Sequence, residues 1–199
     1  MSERLRVNIF KDIDAESPID SSLVPQGLSL VDPRSEFFDV TPEVFDHALM
    51  PRTPKRPPLL MFDGSTVPVD DAYFNIVLTD KNLAWNDTLS KPFTGIAHNI
   101  DPLTGYAVLN ATTHHAAGTV AHEIGHLLGM RYEPDIFNAT DHCTKLDCIM
   151  HGEKIPSTEY AQSYRHPRPR QEKFLNENFC TPCQKQLAER ALVLIDISL

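Results

Sequence analysis

No run of apolar residues in this 199-residue chain approaches the roughly 20 that a membrane-spanning helix needs. Nor is there a surplus of positive charge, since 18 Lys and Arg stand against 27 Asp and Glu for a formal net charge of −9. That balance denies the broad basic surface that neutralises phosphates, so neither nucleic acid nor an anionic membrane is expected as a partner. The first residues, Met1-Ser2-Glu3-Arg4-Leu5-Arg6-Val7, hold no apolar stretch of export-signal length, which makes a cytoplasmic location the expectation. Sequons at Asn86, Asn110 and Asn138 would matter only in a secreted chain and are read as chance matches. No internal repeat is visible. Cysteine is scarce at four residues, and in a reducing compartment four thiols point to metal ligation ahead of disulfides. What remains is the composition of an ordinary soluble globular protein, 41% hydrophobic and 23% charged, at a length that suits one domain, and a monomer is the expectation.

Leu5, Val7 and Ile9 alternate with Arg4, Arg6 and Asn8, the period of a half-buried strand. From Glu16 to Pro58 the prolines at 18, 25, 33 and 42, and the cluster at 51, 54, 57 and 58, predict irregular cover or an extended connection. A short helix over Pro42–Leu49, opened by Thr41, is the one regular element that fits there. Strands are predicted at Tyr73–Thr79, Gly95–Asn99 and Tyr106–Asn110. A helix capped by Thr112 or Thr113 runs to about Met130, with Ala117, Val120, Ala121, Ile124, Leu127 and Leu128 at helical spacing and Gly129 as its stop. Turns fill Arg131–Thr181, including a basic stretch at Arg165–Arg170, and a last helix over about Pro182–Ile195 closes the domain.

The central helix carries His122-Glu123-Ile124-Gly125-His126, an HExxH arrangement. Residues four apart share a helix face, so His122 and His126 can bind one zinc ion. Glu123, about 100° around the helix from His122, reaches a zinc-bound water without taking a coordination site and can act as general base. On an otherwise apolar helix, two imidazoles and a carboxylate need such a purpose. The pattern continues to Gly129, the opening of the metzincin signature, in which a glycine turn delivers a third ligand three residues later. That position is Tyr132 here, so Asp135, His142 and His151 are the candidates for the third ligand.

His142-Cys143 is followed by Cys148-Ile149-Met150 and, further on, by Cys180-Thr181-Pro182-Cys183. With the HExxHxxG segment, this series resembles the archaemetzincins, except that ten extra residues precede the His-Cys pair and the gap from Met150 to Cys180 is also longer. The resemblance spans roughly residues 73–190. It implies an α+β, metzincin-like fold: a twisted mixed sheet with an active-site helix, an upper lobe to about residue 130, and a smaller irregular lobe from 131 to 199 closed by a helix. It implies that His142 joins His122 and His126 on a catalytic zinc, that Met150 lies in the turn beneath the metal, and that Cys143, Cys148, Cys180 and Cys183 hold a second, structural zinc. Two disulfides or a redox Cys-Thr-Pro-Cys pair are the other readings of the cysteines. His114 and His115, two turns before His122, are not expected to be ligands, while His98 falls on a strand that in metzincins aligns the substrate backbone. The function implied is a zinc metallopeptidase acting on peptides or proteins. The alternative is a zinc-stabilised binding or structural protein with the same framework and little catalysis, favoured by the displaced third ligand.

Overall fold

The structure of the chain, a computed structural model, describes residues 4–49, 59–61, 74–84, 94–101, 103–113, 115–130, 142, 143, 145, 148–151 and 178–197. In chain order the elements are β1 (Leu5–Asp12), α1 (Leu23–Val31), β2 (Phe38–His47), β3 (Leu59–Met61), β4 (Phe74–Thr79), β5 (Asn82–Ala84), β6 (Gly95–Asn99), β7 (Gly105–Asn110), α2 (Ala116–Leu127) and α3 (Thr181–Ile197). Five strands form one sheet in the order β2-β1-β4-β7-β6; β3 and β5 make a separate parallel pair. The larger sheet is parallel except for its edge strand β6, which runs antiparallel to β7. This is the mixed sheet with helices that the sequence implied, including the C-terminal helix.

Strands β4 and β7 are buried at every position, as central parallel strands covered on both faces must be. One face, with Leu5, Val7, Ile9, Phe74, Ile76, Leu78 and Leu109, packs against Val120, Ala121, Ile124 and Leu127 of α2. The other face carries Phe10, Val77, Tyr106 and Val108 against Leu49 and Leu83. Helix α3 adds Leu187, Ala191, Leu194 and Ile195 to the first core, where they join Ile149 and Met150. Helix α2, which carries the HExxH motif, is thereby fixed between the sheet and the C-terminal segments.

Two expectations fail, both at prolines. The stretch predicted as irregular cover contains α1 and β2, and the helix expected over Pro42–Leu49 does not form, since β2, an outer strand of the sheet, runs on to His47. Pro25 is the third residue of α1, where the backbone N–H it lacks would have had no intrahelical acceptor. Pro42 sits where the register of β2 on β1 jumps, Val7 pairing with Val40 and Ile9 with Val44, so it occupies a bulge that needs no donor. The start of α2 also differs. Asn110 Oδ1 accepts both the Thr112 N–H at 2.9 Å and the Thr112 hydroxyl at 2.7 Å, which holds the chain in a turn, and the helix begins only at Ala116 after His115. The Arg131–Asp141 insertion, with Asp135, the Arg165–Arg170 stretch and His114 lie outside the described residues.

Candidate metal centre and active site

The end of α2 is set by Gly129 at φ 72°, a conformation that glycine adopts without a Cβ clash. The Gly129 N–H donates to the His126 carbonyl at 2.9 Å and the Met130 N–H to the Gly125 carbonyl at 3.1 Å, the paired bonds of a Schellman termination. Thus the motif helix ends just after His126, at Leu127, and the chain turns away at Gly129, as the HExxHxxG pattern anticipated.

His122 and His126 stand on one face of α2 with their Nε2 atoms 3.1 Å apart. His142, from a segment beyond the insertion, completes the group, its ring centroid lying 5.0 Å from that of His122 and 4.9 Å from that of His126. The three donor nitrogens all fall within 4.8 Å of one another. Zinc–nitrogen bonds of about 2.0–2.1 Å at tetrahedral angles place donors roughly 3.4 Å apart, so small side-chain adjustments would let the three share one ion. His151, the other described candidate, is not in the group; its Nδ1 lies 3.0 Å from the Cys143 carbonyl.

His122 Nδ1–H donates to the Ile149 carbonyl at 2.7 Å, which leaves the Nε2 lone pair facing the other imidazoles. The residue after Ile149, Met150, is fully buried, and its sulfur lies against Gly125, where any Cβ would overlap it. One segment, Ile149–Met150, therefore orients the first histidine and fills the space under the helix. Neither the Ile149 carbonyl nor the Gly125 contact was singled out by sequence reasoning; the Cys-Ile-Met run was the only signal of this segment.

Burial lowers His122 to about 4, with the neighbouring His142 adding to the effect and the Ile149 bond opposing it. Burial, then His122 and His142, bring His126 down to about 3. Both rings are neutral at neutral pH, the form in which imidazole binds metal. Glu123 is 6% exposed, and burial raises its carboxyl to about 8. A dication held by the histidines would favour its ionised form again.

A second group lies beyond the Met150 turn. Cys143, Cys148, Cys180 and Cys183 bring their sulfurs within 4.8 Å of one another, and all four are free thiols. Sulfur–sulfur separations of 3.8 Å for Cys143 to Cys180 and 3.2 Å for Cys180 to Cys183 exceed the roughly 2.05 Å of a disulfide. Tetrahedral thiolates at about 2.3 Å from zinc stand roughly 3.8 Å apart, close to the first of these values. Backbone N–H groups of Lys145 and Cys180 point at the sulfurs of Cys143 and Cys148, at 3.4 and 3.3 Å. Burial pushes the Cys148 thiol up to about 11. At Cys180 burial also acts upward but is outweighed by hydrogen bonds from Cys183, Cys148 and Cys143, and the net shift is downward. Two metal-sized donor sets, one of three histidines and one of four cysteines, are thus joined through the adjacent residues His142 and Cys143. His98 is exposed on β6, its ring 5.5 Å from that of Tyr106, and His115 is exposed at the head of α2.

No helix among the described residues is long and apolar enough to cross a membrane. No curated protein matches the sequence. The model of the Reprolysin (M12B) family of zinc metalloproteases matches residues 101–178, which include the motif helix, His142 and Met150. Among solved structures, the archaemetzincin of Methanopyrus kandleri superposes with a TM-score of 0.64 at 16% identity, over 94% of this chain and 95% of its own. The archaemetzincin of Archaeoglobus fulgidus, solved with malonate, aligns over 91% of this chain and 99% of its own at 17% identity with a TM-score of 0.46; the fold assignment rests on the former. The chain thus has the fold of the Methanopyrus kandleri archaemetzincin, and across its motif region its sequence is similar to a family of zinc metalloproteases.

Proposed function

We propose that His122, His126 and His142 hold a catalytic zinc ion with a fourth position open, that Glu123 is the general base of peptide-bond hydrolysis, and that Cys143, Cys148, Cys180 and Cys183 hold a second, structural zinc. The observation that carries the reading is the convergence of three imidazoles within 4.8 Å beside one buried carboxylate. In this reading the lobes to about residue 130 and from 131 to 199 form one domain, meeting at His142.

When bound, zinc supplies Lewis acidity, polarising the scissile carbonyl and making a water acidic enough to attack it. The protein does the rest. Glu123 accepts the proton of the attacking water and delivers it to the departing amine, the water oxygen forming the new C–O bond as the C–N bond breaks. Its buried setting keeps that proton from exchanging with solvent between the two transfers. The Ile149 carbonyl holds the His122 ring in the tautomer that presents Nε2. Strand β6, at the sheet edge and antiparallel to β7, is suited to align an extended peptide by backbone pairing. As a protease the enzyme acts on peptides or proteins. The alternative, a zinc-stabilised binding or structural protein with little catalysis, rests on the insertion before His142, and the proximity of His142 to His122 and His126 supports the catalytic reading over it.

Hydrolysis of a peptide library by the zinc-loaded protein, suppressed by a hydroxamate, tests the reading; a zinc-loaded preparation that cleaves nothing contradicts it. The metal-free protein offers an independent check through pH. His122 and His126, at about 4 and 3 against 6.5 unfolded, contribute stability that is present above pH 6.5 and is lost as the pH falls toward those values. Glu123, at about 8 against 4.5, has the opposite sign, its contribution being complete below pH 4.5 and lost as the pH rises toward 8. Together these groups place a stability maximum near 6.5, and Glu123→Gln removes the decline between about 6.5 and 8. Urea midpoints of the metal-free protein measured against pH check both expectations.

A further inference from the structure

We propose that Gly95 is a positioning residue for Glu123: the absent side chain at the head of β6 leaves the space in which the carboxylate keeps its working orientation. The inference rests on the reading of Glu123 as general base. An ideal Cβ on Gly95 would lie 2.6 Å from Glu123 Oε1, 2.8 Å from Glu123 Cγ and 2.9 Å from Thr119 Cγ2. Real Cβ atoms do not approach so closely, so a side chain here forces something to move. Backbone conformation does not call for glycine, because among the described residues only Gly129 is a glycine at positive φ. A strand position would ordinarily favour a β-branched or aromatic residue, and glycine inside a strand often marks the close approach of another group. That group here is Glu123.

The strand cannot simply back away. At its head Gly95 pairs with Leu109, and the Asn110 N–H donates to the Thr94 carbonyl at 2.8 Å. At its far end the Asn99 side-chain amide donates to the His126 carbonyl at 3.2 Å, tying β6 to the end of the motif helix. With β6 held to β7 on one side and to α2 on the other, an added methyl is accommodated by rotation of the Glu123 side chain. That rotation moves the carboxylate while leaving both zinc-ligand histidines of the helix untouched.

The test compares parent, Gly95→Ala, Thr119→Ser and the double variant as zinc-loaded enzymes on a peptide selected from the library, with metal content measured for each. Gly95→Ala is expected to keep its metal while kcat falls on the order of 100-fold, the usual cost of displacing a reacting group by about 1 Å, with KM within about threefold of the parent. Thr119→Ser, which removes the third contacting atom and keeps the hydroxyl, should be nearly silent alone and restore kcat about tenfold in the double variant. Crystals of metal-free Gly95→Ala should show the Glu123 carboxylate displaced, a readout independent of turnover. A Gly95→Ala enzyme with kcat within about twofold of the parent, or a carboxylate that has not moved, overturns the proposal. If Gly95→Ala does not fold, the double variant is judged by the same two criteria. Glu123→Gln separates the two readings: an active Glu123→Gln removes the base assignment itself, whereas an inactive Glu123→Gln beside a fully active Gly95→Ala removes only the role of Gly95.

Discussion

Replacing Glu123 with Gln is expected to lower kcat by about 10³–10⁴-fold, in the upper part of the range for loss of a general base, while leaving the catalytic zinc bound. The amide is nearly isosteric, so the space between Gly95 and Thr119 stays filled, but it cannot take a proton at neutral pH. The histidine set is untouched, and KM should change little because the loss falls on the transition state. Burial leaves Glu123 with an ordinary affinity for protons only if a positive charge offsets the upward shift to about 8. The acid limb of the activity profile should therefore lie well below that value in the zinc enzyme and vanish in the variant. Full residual turnover in Glu123→Gln, with metal content unchanged, would remove Glu123 from the reaction.

The second large effect is expected at the cysteines. Cys183→Ser should lose the structural zinc and lower the melting temperature by more than about 10 °C, because a structural zinc contributes folding free energy directly and each kcal/mol is worth about 2–4 °C in a chain of this size. Cys143, Cys148 and Cys183 are buried, and Ile149 and Phe179 share their core, so a zinc ion held by the four sulfurs would tie down the segment that holds Ile149 and Met150. Activity should fall with its loss, since the Ile149 carbonyl orients His122. Calorimetry with metal analysis checks the pair of effects. A Cys183→Ser protein that melts within a few degrees of the parent and keeps its full zinc content would contradict a zinc site built from the four cysteines.

The helix and its chemistry were legible in the sequence because they are local. His122, Glu123 and His126 follow from the period of one helix, and Gly129 from the backbone conformation a helix end requires. Strand β6 could be read over Gly95–Asn99 with the bounds it has. Helix α1 and strand β2 were not legible, because Pro25 and Pro42 remove donors only where none is needed, and whether a donor is needed depends on the neighbouring strand. Spacing left Asp135, His142 and His151 open, and only the resemblance selected His142, since ten added residues say nothing about where a chain returns. The contact of Gly95 with Glu123 joins residues far apart in sequence, and no local pattern encodes it.

That His142 completes the catalytic site with His122 and His126 is the central claim, and metal analysis of the purified parent, His142→Ala and Asp135→Ala proteins tests it most directly. Two zinc ions per chain are expected in the parent and in Asp135→Ala, and one in His142→Ala with the cysteine site still filled. Retention of both ions in His142→Ala, or loss of one in Asp135→Ala alone, would contradict it.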